Sequence, residues 1–397
     1  MYEFKNFSII QSRSHYLLIG GYKLNILIAP DSFKGSLSAE QVALTMKQAL
    51  EEEWNHLTIQ TKPMADGGEG TIDAILAATK GKRIHLTTSG PLGEPIDTSY
   101  ARLSTNTAII ETAMHAGLYQ ISEDKRNPYN TTTYGIGEAI LHALDQGCKK
   151  IIVALGGSAT NDGGLGMLRA LGMEAYDEEN NLLQGFGRDL FLLHRLSFDK
   201  LDKRLNSVEL QIACDVDNPL CGPTGASTIY GPQKGATPEQ VEALDRGLSQ
   251  FATLVQHLTA KKYHDIPGAG AAGGLGFAFL LLGAKLIPGA KLVADTIDLV
   301  SSVKDADLIF TGEGQSDYQT LFGKAPGYVA SLAEAYQVPI ILLSGSLGDG
   351  MDQLREKFAG CFSITNRPMS LDECMNETVP LLKEQTKQIF SLFQTKK

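Results

Sequence analysis

Five glycine-containing loops of this chain carry a carboxylate, and several also carry a hydroxyl group or a lysine. Each loop follows a predicted strand, and the runs at residues 24–29 and 151–155 are short and continuously apolar, which is typical of a strand buried on both faces of a parallel sheet. Ligands of open parallel sheets bind beyond the carboxyl ends of the strands. The pattern therefore predicts a polar site that holds anions and a hard cation. The loops are residues 31–36, 65–70, 156–164, 215–226 and 312–324.

These residue types suit phosphoryl transfer, in which catalysis is mostly positioning and neutralisation of charge by backbone N–H groups, Lys or Arg and Mg²⁺. Asp215 and Asp217 are two residues apart, so both carboxylates lie on one side of an extended segment. Mg²⁺ takes one or two carboxylates together with phosphate oxygens and water. We therefore predict that Asp215 and Asp217 hold the metal, with a simple turn at residues 217–219 as the alternative.

The loop at residues 156–164 (GGSATNDGG) is the predicted anion cradle. A strand leads into it and a helix follows, and free N–H groups at such a helix start can hold an anion. An ordinary strand-to-helix turn is the alternative. The cofactor-binding candidates, here and in other loops, are Gly156, Gly157, Ser158, Thr160, Asp162, Lys234, Glu313 and Asp317.

The catalytic candidates are Asp31, Lys34, Asp66, Asp217 and Lys324. The three loop lysines Lys34, Lys234 and Lys324 each stand beside a glycine. There they can reach a phosphate or the carboxylate of a substrate, or they can be solvated surface. The sequence alone leaves open which carboxylates bind metal and which one acts as a base, because a base must lie within hydrogen-bond reach of the attacking hydroxyl.

The elements that must position these residues alternate in type along the chain. The first 80 residues predict strand–loop–helix twice, the pattern of a parallel α/β domain. Helix starts are marked by capping boxes at residues 38–41, 237–240 and 370–373, the last of which is expected to open the C-terminal helix. The second box is followed by an apolar stripe that ends at Leu258. From residue 83 the order of predicted strands and helices is more mixed, and the simple strand–helix alternation returns after residue 289. We therefore predict one α/β domain with another inserted.

Composition restricts the class of protein. The chain has 397 residues, a net charge of −10 and no block of consecutive Lys or Arg, which argues against nucleic acid or an anionic membrane as a partner. Its longest uncharged apolar stretch, residues 271–284, is too short to span a bilayer. Five scattered cysteines without a CxxC motif favour a reduced, cytoplasmic protein.

Six motifs resemble those of the type-1 glycerate kinases, in the order of that family, from about Lys23 to near the C-terminus. They are APDSFKGSLSA (29–39), MADGGEG (64–70), GGSATNDGG (156–164), CDVDNPLCGPTGASTIYGPQKGA (214–236), GAGAAGG (268–274) and TGEGQSDYQTLFGKAP (311–326).

The resemblance implies ATP-dependent phosphorylation of D-glycerate with Mg²⁺. It also implies a flavodoxin-like parallel α/β core domain with a second, mixed-sheet α/β domain inserted. We place the core at residues 23–82 with 290–397, the insert at 83–289, and an N-terminal extension at 1–22, because family members usually begin near residue 23. The expected assembly is a monomer or a homodimer.

The expected product is 2-phosphoglycerate, because the carboxylate of glycerate adjoins C2 and a grip on it anchors the C2 hydroxyl more closely than the C3 hydroxyl. Several family members also make this product. The alternatives are a kinase that gives 3-phosphoglycerate, a Mg²⁺-dependent phosphatase, and a non-catalytic nucleotide-binding regulator.

Overall fold

The computed structural model describes residues 23–394, so the expected extension at residues 1–22 lies outside the described residues. The strands are β1 Leu24–Ile28, β2 Leu57–Thr61, β3 Gly81–Ser89, β4 Pro95–Leu103, β5 Thr107–Glu111, β6 Lys150–Ala154, β7 Glu174–Tyr176, β8 Arg195–Ser197, β9 Glu209–Ala213, β10 Lys285–Ile287, β11 Leu308–Thr311, β12 Gln315–Ser316, β13 Ile340–Ser344, β14 Ser346–Leu347 and β15 Gly360–Ser363.

The α-helices are Ala39–Glu53, Thr71–Ala78, Thr112–Ala116, Tyr134–Asp145, Leu165–Ala170, Ala226–Tyr230, Pro238–Thr259, Ala271–Leu281, Gly289–Thr296, Leu299–Asp305, Ala325–Ala335, Met351–Lys357, Leu371–Asn376 and Thr378–Gln394. Short 3₁₀ turns lie at Leu118–Gln120, Glu123–Lys125, Pro128–Asn130, Gly187–Phe191, Lys203–Asn206, Pro232–Lys234 and Tyr318–Leu321.

Contacts divide the chain into two compact units. The first holds the described residues up to Lys62, Leu299–Tyr318, and those from Val329 onward; the second holds Pro63–Asp298 and Gln319–Tyr328. The sequence placed the corresponding borders at 82/83 and 289/290. The difference arises because the helix Thr71–Ala78 packs on β3, β4 and β5 of the second unit, although its strand–loop–helix pattern continues that of the first unit.

The first unit contains a five-stranded sheet in the order β15-β13-β11-β1-β2, with every neighbouring pair parallel. In order of appearance along the chain this is the 2-1-3-4-5 order of flavodoxin-like folds. Helices Ala39–Glu53 and Thr378–Gln394 cover one face of the sheet, where Met46 and Phe390 pack among strand residues such as Ile28 and Phe310. The three central strands β1, β11 and β13 are mostly apolar and largely buried, as expected inside a parallel sheet.

The predicted capping boxes are all present. Ser38 and Gln41 cap the helix that begins at Ala39, and Thr237 and Gln240 cap the one that begins at Pro238. The third box, at Ser370, opens only the short helix Leu371–Asn376, and the C-terminal helix Thr378–Gln394 is a separate element. The predicted apolar stripe after Pro238 is wrong at its end, because Leu258 is 55% exposed.

The second unit contains a six-stranded mixed sheet in the order β10-β9-β6-β5-β4-β3. Its first four strands are parallel, and β3 and β4 extend it as an antiparallel hairpin. Strands β5 and β6 are almost wholly buried, as their apolar sequences predict. The flavodoxin-like parallel core and the mixed-sheet α/β insert of the predicted fold class are thus confirmed.

The helix Ala271–Leu281 lies buried in the core of the second unit, as predicted. Its first turn departs from helical geometry, since Ala272, Gly273 and Gly274 all have positive φ. A Cβ on Gly273 would lie 1.9 Å from the carbonyl oxygen of Thr160, so only glycine allows this turn to approach residues 160–161 so closely. Within residues 23–394, no helix has the length and apolar character needed to cross a membrane.

Candidate active site

Three loops of the second unit meet at the carboxyl edge of its parallel strands. The loop at Asp66–Gly68 rests against Gly156, which follows β6, and against Ala213 at the end of β9. A Cβ on Gly156 would lie 2.7 Å from the Cα of Gly68. The glycines of these motifs therefore permit a backbone-to-backbone approach that any side chain would block.

The Asp215 carboxylate and the backbone of Asp66 both meet Gly289 beside these loops. The Gly289 N–H donates to Oδ1 of Asp215 at 2.8 Å, and a Cβ on Gly289 would lie 1.8 Å from the carbonyl oxygen of Asp66. Although Asp215 is exposed as a residue, partial burial of its carboxylate raises its pKa to about 6. The hydrogen bond from Gly289 opposes this shift, and the negative charge of Asp66 adds to it.

The charge that raises the pKa of Asp215 is thus that of Asp66, which the sequence had placed among the catalytic candidates. Asp217 is exposed and acts instead on the pKa of Cys214 and of Tyr230. In the next residues, the Asn218 side chain donates to the Thr224 carbonyl at 2.8 Å and accepts from the Tyr230 hydroxyl at 2.7 Å. The pairing of Asp215 with Asp217 at the metal stays a prediction, and the structure offers Asp66 as a further partner.

Residues 156–158 form the part of the predicted anion cradle that presents backbone donors. Among the described residues, the N–H groups of Gly156, Gly157 and Ser158 donate to no protein acceptor. The backbone on either side of Ser158 is fixed, because the Gly157 carbonyl accepts from Leu118 N at 2.8 Å and the Ala159 N–H donates to the Ala116 carbonyl at 2.8 Å. Because Ser158 Oγ already accepts a hydrogen bond from Lys234 Nζ at 2.9 Å, its own proton remains available to a ligand.

Lys234 contacts the predicted anion cradle from the protein interior, and its side chain does not approach through solvent. The residue is 3% exposed, and its Nζ also donates to the Thr160 carbonyl at 2.6 Å. The Thr160 hydroxyl and the Asn161 side-chain oxygen nearby are buried and have no hydrogen-bond partner. Unpaired buried polar groups of this kind call for an explanation such as a bound ligand or water.

Asp162 has a different environment from the one predicted for a nucleotide contact. Its fully buried carboxylate accepts from Thr133 N at 2.9 Å, Thr133 Oγ1 at 2.7 Å, Gly164 N at 3.0 Å and Gly166 N at 3.1 Å. Burial raises the pKa of Asp162, and these hydrogen bonds oppose the rise. The N–H groups at the start of the helix Leu165–Ala170 are therefore already capped. The candidate anion donors are left at residues 156–158, earlier in the loop than the helix start we expected.

Glu111 is a buried carboxyl at this edge that the sequence analysis did not select. It ends β5, is 4% exposed, and its Oε1 accepts from Ile72 N at 2.5 Å. Burial raises its pKa to about 7, against hydrogen bonds from Ile72 and Gly70. Glu111 thus ties the end of the Asp66-containing loop to the sheet. Its position at the end of a predicted strand was the available signal.

A second group of candidates lies within the first unit. The order of its sheet reverses beside β1, so the loops after β1 and β11 flank the switch point at which such sheets bind ligands. Asp31 N donates to the Gly312 carbonyl at 2.8 Å, which joins these two loops. A Cβ on Gly314 would lie 3.3 Å from Lys34 N.

Further hydrogen bonds fix the acidic side chains of that group. Asp31 is buried and its Oδ1 accepts from Ser32 N at 2.6 Å. Glu313 is buried and accepts from Ser316 Oγ at 3.1 Å. Lys34 is exposed, and Asp317 is half-buried beside Gly348.

Lys324 belongs to the second unit and precedes the helix Ala325–Ala335, in which the Tyr328 N–H donates to its carbonyl. Across residues 23–394, no cluster of three or more His, Cys, Asp or Glu side chains forms a complete metal cage. A magnesium ion bound through phosphate oxygens needs only one or two protein carboxylates. The proximity of Asp66 and Asp215 fits that requirement.

The fold and these loops define an α/β protein with backbone donors at residues 156–158 and with Asp66 and Asp215 at the same sheet edge. The sequence model of the glycerate kinase family matches residues 26–394. The chain is 44% identical over 367 residues to a glycerate kinase of Halalkalibacterium halodurans, covering 92% of this chain and 97% of that protein. It is 41% identical over 353 residues to the glycerate 2-kinase of Escherichia coli K12, covering 88% and 93%.

Structural similarity points the same way. A crystal structure described as that of a glycerate kinase 2 from Salmonella typhimurium LT2 matches with a TM-score of 0.86 and 39% identity, covering 94% of this chain and 99% of that one. The chain therefore belongs to the glycerate kinase family, a class of ATP-dependent phosphotransferases. The family predicted from the sequence is confirmed.

Proposed function

We propose that this protein transfers the γ-phosphoryl group of ATP to the C2 hydroxyl of D-glycerate, giving 2-phosphoglycerate and ADP, with Mg²⁺ as the metal. The observation that carries the proposal is the meeting of the Asp66–Gly68 loop, Gly156 and Asp215 at one sheet edge of a chain of this family. The similarity to the E. coli glycerate 2-kinase supports C2 as the acceptor.

The backbone donors of Gly156–Ser158 and the Ser158 hydroxyl are proposed to hold a phosphoryl group of the nucleotide. Donors fixed before the reaction stabilise developing charge without having to reorganise. Lys234 acts on this group through Ser158, while Asp162 holds the loop in shape.

Asp66 and Asp215 are the proposed carboxylates at the metal, with Asp217 as the other candidate. When bound, Mg²⁺ would neutralise charge on the transferring phosphoryl group. The raised pKa of Asp215 fits this assignment, since a carboxylate short of positive charge gains most from a cation. Asp66 and Asp217 are also the candidates to accept the proton of the substrate hydroxyl.

Asp31, Lys34, Glu313, Asp317 and Lys324 keep their proposed roles. The lysines are candidates for the substrate carboxylate or a phosphate, because a lysine supplies a point charge to such groups. The acidic residues are candidates for a metal or a hydroxyl. Alanine at Lys34 should raise the KM for D-glycerate far more than it lowers kcat if Lys34 binds the carboxylate.

The test of the activity has two parts. ADP formation must depend on D-glycerate, since a phosphatase would release phosphate from ATP in its absence and a regulator would consume no ATP. The product is then given to enolase without phosphoglycerate mutase. Immediate phosphoenolpyruvate supports transfer to C2, whereas a signal that requires added mutase identifies C3 as the acceptor and refutes the proposed product.

A further inference from the structure

Lys234 is a buried amine whose hydrogen-bond partners are neutral. Its Nζ donates to Ser158 Oγ at 2.9 Å and to the Thr160 carbonyl at 2.6 Å. Buried charges in proteins are normally paired with an opposite charge. Asp162 is the charged side chain that acts on Lys234, but its two oxygens accept from four other donors.

Two further polar side chains of this loop, those of Thr160 and Asn161, carry no charge. Asn161 donates to the Ser227 hydroxyl at 2.8 Å, and the Thr160 hydroxyl has no partner. Burial lowers the pKa of Lys234 to about 7, and the charge of Asp162 compensates only partly. Near neutral pH the amine is therefore divided between its protonated and unprotonated forms.

Ser158 connects this amine to the candidate anion loop. Its Oγ touches Nζ, and its N–H belongs to the set of backbone donors at residues 156–158. An anion held by those donors would stand one hydroxyl group away from the amine. It would supply the negative charge that the surroundings of Lys234 lack, and a nearby opposite charge favours the charged form of an amine.

We propose that Lys234 takes up a proton from solvent when a phosphoryl group of the nucleotide occupies the loop at residues 156–158. This inference rests on the proposed function, because it takes the anion of that loop to be a nucleotide phosphate. The step converts the amine to an ammonium ion and breaks no bond in the ligand. Lys234 is thus a positioning residue that becomes fully protonated only when the nucleotide binds.

Isothermal titration of the full-length protein with ADP at pH 8 tests the proposal. The titration is repeated in buffers that differ in ionisation enthalpy, and the slope of the observed enthalpy counts protons. At this pH an amine with a pKa of about 7 is about 90% unprotonated, so the expected uptake approaches ~0.9 proton per ADP. The phosphates of ADP are already ionised at pH 8 and contribute little.

Two variants assign the proton. Lys234→Met should bind ADP with a slope near zero, while Lys203→Met, which removes an exposed lysine of the same unit, should keep the wild-type slope. If Lys234→Met does not fold, Lys234→Gln, which removes the titrating amine but keeps a hydrogen-bond donor, takes its place and should also give a slope near zero. A wild-type slope of zero, or an uptake that persists in Lys234→Met, overturns the proposal.

The result of the proton-uptake experiment can be told apart from the result of the activity assay. Proton uptake without glycerate-dependent ADP formation would refute the proposed function and leave the coupling intact. Glycerate phosphorylation with no proton uptake would refute the coupling alone.

Discussion

Substitution of Asp162 distinguishes most clearly between two roles for this carboxylate, stabilisation of the folded loop and direct contact with a nucleotide. Replacing it with alanine leaves four donors, from Thr133, Gly164 and Gly166, without their acceptor in a fully buried place. Each unsatisfied buried donor costs about 1–3 kcal/mol. Relief of the desolvation of the carboxylate offsets part of that sum, so we expect the free energy of unfolding to fall by about 3–5 kcal/mol.

The assay is thermal unfolding followed by circular dichroism, with ADP affinity measured below the transition. A loss of this size lowers the midpoint by about 10 °C, since each kcal/mol is worth roughly 2–4 °C for a domain of this size. Asp124→Ala removes an exposed carboxylate of the same unit and should change the free energy of unfolding by less than about 0.5 kcal/mol. An Asp162→Ala protein with an unchanged midpoint but weak ADP binding would refute the structural role and support the nucleotide contact predicted from sequence.

Three further experiments concern the same sheet edge. The pKa of Glu111 is raised from about 4.3 in the unfolded chain to about 7, so the stability that Glu111 contributes is complete below about pH 4 and is lost as pH rises through 7. Relative to Glu111→Gln, the wild-type free energy of unfolding in urea should fall by about 3 kcal/mol between pH 4 and pH 8. A difference between the two proteins that stays constant with pH would contradict this. Asp66→Asn and Asp217→Asn should each lower kcat by about 100-fold or more while the thermal midpoint stays within about 3 °C of the wild-type value. Near-normal turnover in Asp217→Asn, with a large loss in Asp215→Asn, would assign the metal to Asp66 and Asp215. Gly156→Ala would place a methyl group 2.7 Å from the Cα of Gly68. We therefore expect turnover to drop by at least about 10-fold and the free energy of unfolding to fall by about 1–3 kcal/mol. Full activity would show that this close approach is dispensable.

Local signals in the sequence were sufficient to predict most of the fold. The apolar runs at β1 and β11 and the capping boxes at Ser38 and Thr237 act over a few residues, so they can be read without knowing the tertiary structure. The short helix Gly289–Thr296 had no such signal, because its N-cap is Pro288 and no side chain caps it.

The pairing of site residues was less predictable, because it depends on contacts between distant parts of the chain. Asp215 and Asp217 look like partners in sequence, yet the loop folds so that Asp66 is the carboxylate whose charge acts on Asp215. Asp162 has the residue type and the loop position of a ligand contact. Its saturation by Thr133 follows from packing of a segment about thirty residues earlier in the chain.

The saturated carboxylate of Asp162 also bears on how tightly the loop can bind. Ordering the backbone of one residue costs about 1–2 kcal/mol of conformational entropy. Here Asp162 fixes Gly164 and Gly166, and the Gly163 N–H donates to the Gly273 carbonyl at 3.0 Å, so this cost is met when the protein folds. If a nucleotide binds at residues 156–158 as proposed, it would meet a loop whose second half is already ordered, and less of its binding free energy would be spent on ordering that loop.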